Sequence, residues 1–221
     1  MPSNRRYNDV AEIPAEIPLF PLENVLLLPH GGLPLNIFEP RYLAMIDAAL
    51  AADRMIGMIQ PLPDQADEDK PTLFRVGCAG RITQFAETGD GRYLVTLTGI
   101  CRFRLIDEKT DDAPFRIGRV DYAPFAADLG LALEDERVDR EALLATLRKY
   151  AEKNRFAVDW DSVNKAPSLA LVDALAMSSP FGPREKQALL EAASVAERAD
   201  VLVAIAEVEM AGDAPGGHGL Q

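Results

Sequence analysis

The spacing of apolar residues changes once along this chain. From Ile17 to about Phe125 it follows the alternation and short runs of β-strands, and from about Leu133 onward it recurs at helical intervals. The clearest strand pair is a hairpin with arms Leu73 to Phe85 and Tyr93 to Ile106, joined by Glu87-Thr88-Gly89-Asp90-Gly91, residues that tolerate positive φ. With Gly89 and Asp90 central, the register sets Val76 opposite Phe103, Cys78 opposite Cys101, Gly80 opposite Gly99 and Ile82 opposite Leu97. Each of these pairs is apolar or small, so one face is coherently buried. Facing glycines imply a sharp bend or the close approach of another segment. A curved sheet closing toward a barrel is expected. Further strands are expected at Met55 to Ile59 and Phe115 to Tyr122.

The stretch Ile17 to Leu43 holds five prolines (Pro18, Pro21, Pro29, Pro34 and Pro40) and the pair Gly31-Gly32. Proline excludes a continuous helix there, and the density of Leu, Ile, Val and Phe opposes disorder. The expectation is buried extended chain turning at Pro29 to Gly32. It enters a helix at Pro40, with Leu43, Ile46 and Leu50 at helical spacing. One helix is thus inserted among the strands.

The second half reads as helices at Val138 to Tyr150, Leu169 to Met177 after a Ser168 cap, and Pro183 through Leu190. A last one opens on the capping box Ser194 to Glu197, with Leu202, Ile205, Val208 and Val201 inward. The expected organisation is a flexible N-terminus (1–15), a β domain (16–125), a helical domain (126–210) and a flexible tail (211–221). Pro61 to Pro71 is expected as an exposed, mobile acidic loop.

Composition narrows the function classes. The net charge of −12 is spread over both halves and disfavours general affinity for a phosphate backbone. No apolar run reaches the ~18 residues of a bilayer span, and no apolar core follows Arg5-Arg6 to make a signal peptide. With two cysteines and no export signal, the cytoplasm is the expected compartment.

Catalytic signatures are absent from the sequence. Gly-Lys, G-x-S-x-G and H-E-x-x-H do not occur, and the two histidines, His30 and His218, lie in a Pro-Gly turn and a Gly-rich tail. No catalytic residue, metal site or cofactor is expected, since two Cys and two distant His do not make a zinc set. Cys78 and Cys101 read either as small side chains of a reduced core or as a reversible cross-strand disulfide. Arg75, Arg102 and Arg104 on the outward hairpin face, near Arg81, Arg116 and Arg119, read as an anion or RNA patch. The alternative is a solvated face balanced by Asp107, Glu108, Asp111 and Asp121. Glu39 is expected to complement the dipole of the helix starting at Pro40, with Arg41 reaching back.

Three segments in order resemble the N-terminal substrate-recognition domain of Lon proteases: Pro18 to Ile46, Leu73 to Ile82 and Leu94 to Leu105. Asn164 to Ala176 and Glu185 to Arg198 resemble its helical part, so the likeness covers roughly 16–209. Neither the ATPase nor the Ser-Lys peptidase module of a Lon protease is read in these residues, and a stand-alone protein is expected. The resemblance implies an α+β fold, a PUA-like β pseudo-barrel with one inserted helix followed by a C-terminal helical bundle. It further implies a non-enzymatic module binding exposed apolar segments of other proteins, with unfolded polypeptides and a resident Lon-type protease as candidate partners. The expected site is a concave surface between barrel and bundle, with Phe38, Tyr42, Phe125 and Trp160 as candidate contacts. Nucleic-acid binding through the arginine face and an unrecognised hydrolase are the alternatives.

Overall fold

The computed structural model describes residues 5–63, 70–110, 112–130 and 137–212. Most of the acidic stretch after Pro61, Asp111 and the tail beyond residue 212 lie outside them. The chain forms two compact units, Met1–Ala132 with Pro180–Leu190, and Leu133–Ser179 with Glu191–Gln221.

The first unit is a sheet of β1 (Glu16–Pro21), β2 (Gly32–Ile37), β3 (Met55–Ile59), β4 (Val76–Glu87), β5 (Tyr93–Glu108) and β6 (Arg116–Asp121). The strand order is β2-β5-β4-β3-β1-β6, and β6 pairs with β5 as well. That second pairing closes β5, β4, β3, β1 and β6 into a ring, leaving β2 beside the first half of β5. The β1–β3 pair is parallel and the other pairs antiparallel. A parallel neighbour needs a crossover, which here contains α1 (Pro40–Ala51). The inserted helix starts at Pro40, as expected. Ile17, Leu19, Ile59, Phe103 and Val120 fill the barrel.

The β4–β5 register differs from the expected one in part. Gly80 faces Gly99 and Ile82 faces Leu97, but Cys78 faces Arg102 and Val76 faces Arg104. Two irregularities cause the slip: Thr83 is an extra residue on β4, and Ile100 is an extra residue on β5. The connection is a five-residue loop, with Gly89 and Gly91 at φ 78° and 85°. The cysteines are therefore not opposed, and both are free thiols.

The extra residue at Ile100 also changes the arginine face. Arg102 is 7% exposed rather than outward. Its guanidinium holds Asp128 through Nε (2.9 Å) and Nη2 (2.8 Å), while Nη1 donates to the Leu190 carbonyl at 3.0 Å. Asp128 belongs to the 3-10 segment Ala123–Leu129, and Leu190 to α5 (Pro183–Glu191). Gln187 of α5 donates to the Val76 carbonyl at 3.0 Å and meets Gln60 at 3.3 Å. These bonds explain why Pro180–Leu190 joins the barrel, although its periodicity alone placed it among the other helices.

Residues 5–15, read as a flexible end, carry Tyr7 and Ile13 at 5% exposure in the barrel core. Arg81, itself 1% exposed, donates to the Tyr7 hydroxyl at 3.0 Å.

The second unit holds α2 (Arg140–Asn154), α3 (Trp160–Lys165), α4 (Ser168–Ser178) and α6 (Val195–Gly212). Asp139 and Asp159 accept from backbone N–H groups at the starts of α2 and α3. Ser168 is the first residue of α4, not its cap. Ser194 Oγ accepts from the Glu197 N–H at 3.1 Å, as a capping box requires. Ala199, Leu202 and Ala206 form the buried stripe of α6. Val208, expected inward, is 71% exposed, because two residues past Ala206 is a turn of about 200° around the helix.

Candidate functional site

Strands β4 and β5 run beyond the barrel. In β4 everything from Val76 to Ile82 is buried, and Gln84 to Glu87 is exposed. The hairpin end and β2 thus form a three-stranded ribbon that buries Ile37 and Val95 on one face and exposes its tip. Its register sets Leu35 opposite Val95 and Val95 opposite Phe85, then Asn36 opposite Leu94 and Leu94 opposite Ala86. A groove of about 510 Å³ crosses these strands, lined by Pro34, Leu35, Gln84, Phe85, Leu94 and Thr96 among others.

Large apolar side chains stand exposed at this end of the ribbon, Leu94 on one face and Phe85 on the other. Phe38 just past β2 is 61% exposed, Leu94 49% and Phe85 37%. The Phe85 ring packs edge-on against Tyr93 at 4.9 Å, and the Arg92 guanidinium lies 5.9 Å from the Phe38 ring centre. Strand addition is not the natural use of the β2 edge. Gly99 N–H donates to the Gly31 carbonyl at 2.9 Å, and alternation from that pair turns the backbone groups of Gly32, Pro34 and Asn36 away from β5. Pro34 has no N–H to offer there, which blunts the edge. What remains available is side-chain contact in the groove.

Of the four residues singled out in the sequence, the three in the first unit lie in different places. Phe38 follows the end of β2, exposed, and is not among the residues lining the groove. Tyr42 on α1 is 7% exposed, 4.3 Å from the Phe20 ring, and its hydroxyl donates to the Pro21 carbonyl at 3.4 Å. Burial pushes its hydroxyl pKa up. It lines a separate cleft of about 400 Å³ with Pro21, Pro61, Pro71 and Phe115. Phe125 packs against the barrel core under the Arg102 guanidinium, 4.9 Å away. Trp160 belongs to the helical unit, with the Arg148 guanidinium 5.4 Å from its ring. Phe85 and Leu94 were not singled out, although two large apolar residues flanking a charged turn were a readable signal.

The arginines are largely committed within the first unit. Arg81 and Arg102 are buried, Arg116 pairs with Glu108 at 2.5 Å, and Arg119 pairs with Asp107. Arg75 donates to the Ile106 carbonyl, and Arg104 lies opposite Asp121. The Glu39–Arg41 pair at 2.9 Å is a local contact at the start of α1. Among the described residues no helix is long and apolar enough to cross a membrane, and no group of three or more His, Cys, Asp and Glu side chains is placed to hold a metal ion.

Burial pushes the Cys101 thiol up to about 12, and raises Cys78 well above its usual value, with the Asp128 carboxylate adding to both. The thiolate is the reactive form. Native protein is therefore expected to leave both thiols unmodified by a chromogenic disulfide reagent at pH 8, and to release two when denatured without reductant. Rapid native reaction, or fewer than two thiols after denaturation, would contradict the buried, reduced pair.

A closed barrel with one inserted helix and a separate helical unit, bearing an apolar groove on an extended hairpin, defines an α+β fold. The chain belongs to the family described as "ATP-dependent protease La (LON) substrate-binding domain", whose sequence model matches residues 16–207. It is 31% identical over 147 residues to Lon protease 2 of Myxococcus xanthus, covering 64% of this chain and 16% of that protein. It is 28% identical over 207 residues to Lon protease of Escherichia coli strain K12, covering 88% and 25%. The chain thus spans a quarter or less of the length of these relatives. The Lon N-terminal domain protein from Xanthomonas campestris shares the fold at TM-score 0.59 and 23% identity, over 86% of this chain and 97% of that one. The N-terminal domain of the Mycobacterium avium complex Lon protease does so at 0.60 and 22%, over 87% and 98%.

Proposed function

We propose that this chain binds other polypeptides through their exposed apolar segments, with no catalysis of its own, in a reducing compartment such as the cytoplasm. The observation that carries the reading is the exposure of Phe38, Phe85 and Leu94 at one end of the ribbon, 37 to 61% in a chain that buries most of its large apolar side chains, with Leu94 and Phe85 among the residues of the groove. Exposed apolar clusters mark interaction surfaces. Membership of a substrate-binding family supports the same reading, and a Lon-type protease that would act on bound clients is the partner we propose.

The test is fluorescence anisotropy with a labelled, permanently unfolded model protein. Changing Phe38, Phe85 and Leu94 together to Ser is expected to weaken binding at least about tenfold, the equivalent of ~1.4 kcal/mol. All three are exposed, so the fold should persist. Unchanged affinity in the triple variant, or no binding by the parent at tens of micromolar, would overturn the proposal. The arginine contacts above speak against a nucleic-acid reading, which needs uncommitted cations.

A further inference from the structure

A second cleft of the barrel unit, of about 690 Å³, is distinct from the groove and opposite to the protein as a whole in charge. Arg5, Arg6 and His30 line it, and among the described residues no carboxylate does, in a chain of net charge −12. The fold places these groups deliberately. Tyr7, anchored by Arg81, fixes the segment carrying Arg5 and Arg6. His30 is held at φ 65°, with its N–H bonded to the Gly99 carbonyl at 2.9 Å. Ile100 and Leu129 add apolar wall.

The cations are not equivalent. Arg5 lies 3.9 Å from Glu12 and 4.9 Å from the Tyr7 ring centre. Arg6 makes no ion pair or hydrogen bond among the described residues. A single uncommitted guanidinium beside an apolar wall suits one planar, singly charged anion attached to an apolar group. It does not suit a polyanion, which the net charge repels.

The cleft and the groove share a strand. Leu94 borders the groove and Thr98 the cleft, and Leu94, Thr96 and Thr98 are the more exposed positions alternating with buried Val95 and Leu97. Four residues of strand at ~3.3 Å each span about 13 Å, the reach of a short extended peptide.

We propose that this cleft takes the C-terminal residue of a bound polypeptide, its α-carboxylate on Arg6 with His30 beside it, while the apolar residues upstream lie in the groove. This rests on the reading of the chain as a polypeptide binder and adds the end from which the client is read.

The experiment compares two fluorescent peptides of one apolar sequence, one ending in a free carboxylate and one in an amide, using the full chain. The free acid is expected to bind about tenfold more tightly, and Arg6→Gln to bring it down to the amide's affinity. Arg6 is exposed and makes no hydrogen bond or ion pair among the described residues, so the variant should fold, which circular dichroism checks. Equal affinity of acid and amide would overturn the carboxylate site and leave the groove reading standing. Failure of both peptides to bind would overturn both readings. A free-acid preference that survives Arg6→Gln, or displacement by inorganic phosphate at lower concentration than by acetate, would overturn the assignment of this cleft to a carboxylate.

Discussion

Gly99→Ala is expected to lower stability by about 3 kcal/mol or more, at the upper end of what overpacking costs. A Cβ at this position would lie well inside contact distance of the Leu28 carbonyl oxygen and 2.8 Å from its carbon. Both atoms are backbone, so no rotamer change relieves the clash. The strap from Leu28 to Gly31 is itself fastened here, by His30 N–H to the Gly99 carbonyl and Gly99 N–H to the Gly31 carbonyl, each 2.9 Å. Moving the strap would therefore strain two hydrogen bonds and disturb Leu28, which is fully buried.

Two controls separate this from a generic glycine effect. Gly80→Ala meets the Leu27 side-chain end at 2.6 Å, which can rotate away, so a smaller loss is expected. Gly32→Ala meets nothing within 4 Å. Replacing a glycine where space and backbone allow it is neutral or slightly stabilising. Urea unfolding followed by far-UV circular dichroism should rank the three as Gly99, Gly80, Gly32. A Gly99→Ala variant as stable as Gly32→Ala would show that the strap does not cross β5 in the way described.

These glycines also show how far the sequence could be read. Facing glycines in the hairpin announced a close approach, and the crossing segment is the proline-rich stretch whose turn was read at Pro29 to Gly32. Strand positions followed from alternation because one face of each strand must be buried. Extra residues at Thr83 and Ile100 were not legible, since an inserted residue leaves the local apolar pattern intact and shifts only the pairing. That slip hid the destination of Arg102. Four buried cations, Arg81, Arg102, Lys186 and Arg198, sit at 7% exposure or less, and nothing in periodicity marks a cation that will be buried. Of the residues named from the sequence, only Phe38 stands at the exposed end of the ribbon. Tyr42 and Phe125 have the composition of contact residues but stand where core packing claims them, while Phe85 and Leu94 became visible once the hairpin was seen to outrun the barrel.

Arg102 carries the second large effect. Its side chain and that of Asp128 are each 9% exposed, and the pair is bidentate. Arg102 also donates its backbone N–H to Asp128 at 3.0 Å and Nη1 to Leu190. Removing one member leaves the other charge buried with its partner gone, which typically costs about 3–5 kcal/mol. Arg102→Ala and Asp128→Ala should each fall in that range. Replacing the pair together by apolar residues, Arg102→Met with Asp128→Leu, removes both desolvated charges and should recover much of the loss. The recovery should be incomplete, because the Leu190 carbonyl still loses its donor. A positive coupling between the two sites in urea titrations is the expected result. If Arg102→Ala costs under about 1 kcal/mol, the pair is not buried as described. If the double variant loses the sum of both singles, the two residues act independently and the bidentate contact does not hold the 3-10 segment to β5.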